Sequence, residues 1–325
     1  MRVLITGGSG AMGGYISRNL LGAGYAVASY GRNSPLVEGA EFVQGDVMDL
    51  GRLRSACRGC DAIVHLAVVG LGRVEPEQVM SLNVMGTVHV LEAALREGVG
   101  KVVFASSNAV LGFTYQKRPM VPQYLPIDEE QPCEPQDLYG LSKLMGEIAC
   151  KGYSDAHGLK TICLRINTNW YVDRAGAEIA VRSGWSKGMT VEELWTTRYL
   201  RAIGASEGDQ NWPVPGPPCP WKNLWAVTDA RDGAEAFRLA LENNDLVHEV
   251  FLINGDDTCS TNETRALIAR HYREVPLRQP LDGFSSLWSH QKATRLLGYR
   301  PRYSWRNSDF EVWARKRLES LAAAG

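Results

Sequence analysis

The sequence predicts an α/β fold: a doubly wound parallel sheet with a smaller, interleaved C-terminal substrate domain. Three observations predict it. Short apolar runs recur through the first half, each followed by a stretch of helical spacing after a short link. The first run breaks into a glycine cluster that opens a helix. From about Asn167 the pattern gives way to a stretch rich in proline and tryptophan, and strand-like runs return only later.

Val3-Leu4-Ile5 is apolar and bounded by glycines, as a strand buried on both faces requires. Thr6-Gly7-Gly8-Ser9-Gly10-Ala11-Met12-Gly13-Gly14 follows, then Tyr15–Leu21 with helical spacing. Strand, glycine turn and helix form a dinucleotide site: glycine lets a pyrophosphate approach, and the helix N-terminus supplies N–H donors and positive dipole. The spacing here is G-x-x-G-x-x-G, through Gly7, Gly10 and Gly13. Ala26–Tyr30 reads as the second strand and ends in Gly31-Arg32. An enzyme using NAD usually places a carboxylate there for the ribose 2′-hydroxyl. An arginine without a carboxylate suits a 2′-phosphate, so NADP is expected, with NAD the alternative. Phe42–Val47 reads as a third strand carrying Asp46, and Ile63–Ala67 as a fourth, with His65 packed at its end. Asn83 falls in the next helix, and Val102–Ser107 is a fifth strand ending in two hydroxyls.

Composition bounds the function. The 325 residues suffice for one large or two small domains, and 45% are apolar, ordinary for a globular protein. A net charge of −1 gives no reason to expect nucleic acid or an anionic membrane as partner. The opening run, Met1 to Gly7, is too short for a signal peptide or a spanning helix, so a cytoplasmic protein is expected. Seven scattered cysteines fit free thiols. Cys57 and Cys60 form a C-x-x-C, but no second pair stands at zinc spacing; they read as small apolar residues at a helix end, and no metal site is expected.

The chemistry centres on Asp137-Leu138-Tyr139-Gly140-Leu141-Ser142-Lys143. Tyr139 and Lys143, four apart at the start of a predicted helix, share a face. A nearby ammonium favours the phenolate, so the pair can take a proton from an alcohol or give one to a carbonyl oxygen.

Several motifs stand in one order: Thr6-Gly7-x-x-Gly10-x-x-Gly13, Gly45-Asp46-Val47, His65-Leu66-Ala67, Asn83-x-x-Gly86-Thr87, Ser106-Ser107 and Tyr139-x-x-x-Lys143. On them the chain resembles the extended short-chain dehydrogenases/reductases, the group of NAD(P)-dependent sugar epimerases, dehydratases and reductases with a Rossmann-type sheet. Carried over by position, the resemblance implies that Tyr139 is the acid/base. Lys143 binds the nicotinamide ribose and lowers the tyrosine pKa, Ser107 bonds the substrate oxygen, and Asn83 stands near the reaction. It also implies that Gly7, Gly10, Ala11, Met12 and Gly13 meet the pyrophosphate, that Asp46 and Val47 meet adenine, and that Leu66 and Ala67 lie under the cofactor. A small-molecule substrate and a homodimer, joined through the helix near Asn83 and the helix of Tyr139, are further expectations.

The first domain is expected over 1–166 plus about 224–257, and the substrate domain over about 167–223 plus 258–325. Residues 205–223 read as a long loop with Pro213, Pro215, Pro217, Pro218 and Pro220. Six of nine tryptophans lie in 170–225, and about two of them are assigned to the substrate pocket. Ala230–Ala240 reads as helix, Val250–Ile253 as a late strand of the main sheet, Thr261–Thr264 as the cap of a helix to about Tyr272, and Ser289–Leu297 as a last surface helix. Relatives acting on nucleotide sugars often carry Arg-Pro-Gly-Asp near the end, where the arginine meets the diphosphate. Here the region reads Gln279-Pro280-Leu281-Asp282-Gly283-Phe284, with Arg278 beside it and Lys222 as a further source of charge. Three readings follow: a dehydrogenase or reductase with a dissociable dinucleotide, an epimerase or dehydratase that retains it, and a sensing protein without catalysis.

Overall fold

The computed structural model describes residues 1–70, 74–183, 188–195, 223–313 and 316. Strands β1 (Arg2–Thr6), β2 (Ala26–Gly31), β3 (Glu41–Gln44), β4 (Ala62–His65), β5 (Lys101–Ser107) and β6 (Lys160–Ile166) join β9 (His248–Ile253) in one sheet. Its order is β3-β2-β1-β4-β5-β6-β9, every pairing parallel. The connectivity reverses between β1 and β4, which leaves a crevice beyond the C-terminal ends of those strands. Two short strands, β7 (Asn169–Trp170) and β8 (Thr228–Asp229), pair with each other outside this sheet. The chain leaves the sheet after β6 and returns to it at β9.

Both faces are covered. Val3 and Ile5 of β1 enter one apolar cluster and Leu4 the other, so alternate residues of a fully buried strand serve two cores. Helices α1 (Ala11–Gly22), α6 (Arg174–Arg182) and α7 (Ala230–Glu242) pack together, and α2 (Leu50–Cys57), α4 (Gly86–Glu97) and α5 (Leu138–His157) form the second set. A short helix α3 (Pro76–Met80) precedes α4, with α8 (Thr264–His271) and α9 (Gln291–Leu297) near the end.

Strand β4 ends at His65 rather than Ala67, and three further differences from expectation stand out. Strand β3 stops at Gln44, because Gly45 turns the chain against the Tyr30 ring so closely that an added Cβ would lie 2.4 Å from it. Asn83 sits in a π-helical turn, Ser81–Met85, between α3 and α4, rather than in a plain α-helix. The helix of Ser289–Leu297 is not the last: residues 309–313 are helical too, anchored by Phe310 among Trp170, Trp195 and Trp305. Trp170, Trp195 and Trp225 are all buried in the main core cluster. Trp185, Trp212, Trp221, Lys222 and the proline-rich loop up to 222 lie outside the described residues.

Candidate active site

The glycine turn closes on the C-terminal end of β1. Gly7 has φ +74°, which an L side chain rarely adopts, and a Cβ there would lie 2.9 Å from the Ala67 amide nitrogen. A Cβ on Gly13 would lie 2.6 Å from the Gly8 Cα and carbonyl oxygen. Gly10 is the N-cap of α1; it offers no side-chain cap, and the first turn, starting with Ala11 and Met12, carries no acid. The N–H groups and positive dipole of α1 are therefore free of side-chain compensation, which fits a pyrophosphate. Leu66 and Ala67 are tied to Thr6, the Leu66 N–H donating to its carbonyl at 3.0 Å and the Ala67 N–H to its Oγ1 at 3.4 Å. At the far side of the crevice Tyr30 donates to the Asp46 carbonyl at 2.8 Å, and Met48 N–H to Asp46 Oδ1 at 3.0 Å. Val47 packs against Gly86, and its carbonyl lies 2.9 Å from His89 Nδ1. Arg32 is exposed just past β2.

The residues expected to act on substrate gather at the end of β5. Asp137 caps α5, its Oδ1 accepting from Gly140 N–H at 2.8 Å, and this starts the helix at Leu138 so that Tyr139 and Lys143 share a face. Ser107 is buried and stands beside Tyr139. Lys143 is buried; its Nζ donates to the Ala105 carbonyl at 2.6 Å and stands 5.8 Å from the Tyr139 ring centre and 4.9 Å from that of Phe104. Burial pushes the Tyr139 phenol well above its usual range, the neighbouring phenol of Tyr115 adds to this, and the nearby Ser107 opposes it. Burial also draws the Lys143 ammonium down to about 7. Loss of water around each group, rather than the charge of Lys143, sets the direction at Tyr139.

Asn83 is buried and uses both ends of its amide. Its Oδ1 accepts from Val69 N–H at 2.9 Å, and its Nδ2 donates to Val69 O and Ser142 Oγ, both at 3.0 Å. It ties the chain after β4 to α5, so it positions the helix that carries Tyr139. His65 is wholly buried between Thr6 Oγ1 (2.7 Å) and Thr87 Oγ1 (3.1 Å), and burial lowers it to about 3, which keeps it neutral. Cys57 ends α2 and Cys60 follows it, both buried and unbridged.

Three neighbours were not singled out from the sequence. The Tyr115 ring meets Tyr139 edge-on, centres 6.1 Å apart. Asn108 follows Ser107, and Asn167 follows Ile166, the residue opposite Ser107 in the β5–β6 register. A single tyrosine and two asparagines carry no spacing signal; only their place after strand ends could have marked them.

Comparison with known proteins gives the family. Residues 3–253 match the NAD dependent epimerase/dehydratase family. The uronate dehydrogenase of Pseudomonas putida is 33% identical over 253 residues, covering 74% of this chain and 88% of that protein. The UDP-glucose 4-epimerase of Corynebacterium glutamicum is 29% identical over 94% of this chain and 92% of its own. A short-chain dehydrogenase/reductase superfamily protein from Agrobacterium tumefaciens, solved with bound NAD, superposes with a TM-score of 0.67 at 22% identity, over 100% of this chain and 99% of that one, a likeness of fold. The chain belongs to the NAD dependent epimerase/dehydratase family and is an enzyme of the extended short-chain dehydrogenase/reductase type, built to work with a nicotinamide dinucleotide.

Proposed function

We propose that this enzyme is a dehydrogenase that moves a hydride between a dissociable NADP and a sugar or sugar acid not carried on a nucleotide. The observation that carries the substrate reading is the state of Arg278. Its guanidinium lies 3.3 Å from the Tyr124 ring centre and pairs with Glu130 at 2.8 Å and Asp128 at 3.3 Å. The arginine beside the altered Gln279–Phe284 stretch is thus already neutralised by two carboxylates, which would repel a diphosphate. The uronate dehydrogenase relative supports the same substrate class. The NADP preference rests on exposed Arg32, which pairs with no carboxylate among the described residues and follows a strand end without a carboxylate.

The dinucleotide, when bound, accepts or returns the hydride. The glycine turn and the N–H groups of α1 hold its pyrophosphate, and Lys143 reaches toward its nicotinamide ribose from the Ala105 carbonyl. Ser107 and Tyr139 hold the reacting oxygen. Tyr139 stands as a phenol and can donate to a carbonyl oxygen. To take a proton from a carbinol it needs the nearby charge of Lys143. The dinucleotide part spans 1–166 plus about 224–257, the sugar part about 167–223 plus 258–325. A cytoplasmic homodimer completes the reading. On α5, Leu141, Met145 and Ile148 are exposed, the last at 64%, with Met85 nearby in sequence to α4 at 44%. Ile148→Glu should turn a dimer into a monomer by light scattering, and a wild-type monomer would refute it.

The full-length similarity to an epimerase favours a second reading, in which the dinucleotide stays bound and the substrate is oxidised and re-reduced. Denaturing the purified protein and weighing the released nucleotide separates the two. Near-stoichiometric nucleotide supports the epimerase; an empty protein that prefers NADP supports the dehydrogenase.

A further inference from the structure

The residues behind Ser107 form a directed chain of hydrogen bonds with an open end. Ser107 Oγ donates to Asn108 Oδ1 at 3.3 Å, and Asn108 Nδ2 donates to Asn167 Oδ1. Asn167 is 2% exposed, and its Nδ2 is buried with no hydrogen-bond partner among the described residues. Its own backbone is satisfied, the N–H donating to the Ile253 carbonyl at 3.1 Å. A buried amide nitrogen without an acceptor is costly, and native proteins rarely keep one unless something fills it. The place is also informative. Register sets Ser107 opposite Ile166, so Asn108 and Asn167 leave the sheet side by side at its C-terminal edge, where open α/β sheets bind ligands. Both N–H bonds on that nitrogen are donors, so the missing partner is an acceptor oxygen.

We propose that Asn167, held by Asn108, is a specificity residue that donates to a second oxygen of the substrate, a hydroxyl or carboxylate oxygen beyond the carbon that reacts at Ser107 and Tyr139. This rests on the reading of the substrate as a free sugar or sugar acid, and deepens it: the enzyme takes polyoxygenated substrates and turns away isolated ketones and deoxy analogues. Asn108 is the positioning residue, because its two ends fix the Ser107 hydroxyl and the Asn167 amide together.

The test uses Asn167→Asp, which keeps an oxygen for Asn108 and replaces the donor by an acceptor, with NADP-saturated protein and glucuronate as the probe. Two readouts run together: sugar affinity by calorimetry and turnover by the absorbance of reduced nicotinamide. The proposal expects the variant to lose at least about tenfold in sugar affinity or KM, with the dinucleotide Kd unchanged. On the wild type, singly deoxygenated glucuronates should reveal one position whose removal costs about as much. Removing that oxygen should cost little further in the variant. Wild-type binding without turnover, lost in the variant, would keep the subsite and sink the dehydrogenase reading. Turnover with equal KM in both proteins would sink the subsite and keep the dehydrogenase. Neither binding nor turnover in the wild type would overturn both. A variant whose dinucleotide Kd moves with the sugar KM has lost structure rather than a contact, and that result overturns the proposal as well.

Discussion

Replacing Gly13 by alanine sets two effects against each other. Alanine is the better helix former by about 1 kcal/mol, and Gly13 lies inside α1. Against this, the new Cβ would stand 2.6 Å from the Gly8 Cα and carbonyl oxygen, inside any contact real Cβ atoms make. The obstacle is backbone, so no side chain can swing aside. Gly8 is hemmed in on its other side by Ser29, whose Oγ would lie 2.3 Å from a Cβ at that position. Overpacking of this kind costs about 1–3 kcal/mol, so the net effect on stability is a loss of roughly 0–2 kcal/mol. The larger effect falls on function, because the turn that must move is the one facing the pyrophosphate. Dinucleotide affinity should fall by roughly ten- to a hundredfold, the equivalent of that same strain withheld from binding. Gly22→Ala is the control: it lies in the same helix and meets nothing within 4 Å, so stability should rise slightly and affinity stay constant. Fluorescence titration with NADP and NAD, beside thermal unfolding, reads both quantities. A Gly13→Ala enzyme that binds the dinucleotide with wild-type affinity would refute the assignment of this turn to the pyrophosphate.

Other outcomes follow from the same geometry. Tyr139→Phe should lower kcat by about 10²–10⁴-fold and leave the dinucleotide Kd alone, read by steady-state kinetics and titration. Arg32→Ala should cut the preference for NADP over NAD by about tenfold or more, with NAD affinity unchanged; equal losses for both would mean that Arg32 only stacks on adenine. Lys143 makes a pH signature. Its folded pKa of about 7 lies below the usual lysine value, so between these two values the unfolded chain binds more protons than the folded one. The burial penalty is full below pH 7 and is relieved as pH rises. Urea unfolding at pH 6.5 and 9 should show wild type gaining stability relative to Lys143→Met on going to the higher pH, and a flat difference would contradict it.

Much of the fold was legible because parallel strands buried on both faces read as apolar runs, as Val3-Leu4-Ile5 and Ile63-Val64 do, and because glycine spacing announces the turn after β1. The Tyr139–Lys143 pair was legible because i and i+4 meet on any helix. What they meet was not: the Ala105 carbonyl that holds Lys143 and the Tyr115 ring beside Tyr139 come from other parts of the chain. Asn83 was placed near the reaction by its motif, but its amide bonds to Val69 and Ser142 depend on a π-helical turn with no sequence signature. The end of β3 moved for a similar reason, the Tyr30 ring filling the space beside Gly45. Asn108 and Asn167 meet only through the β5–β6 register, 59 residues apart in the chain. Tertiary partners decide such residues, and local pattern does not encode them.

The most direct measurement mixes the enzyme with NADP and a free uronate, and in parallel with UDP-glucose, and follows reduced nicotinamide and sugar products together. The account predicts reduced dinucleotide in one-to-one yield with oxidised uronate, and no conversion of UDP-glucose. Epimerised UDP-sugar with no net reduction, and an inert uronate, would contradict it.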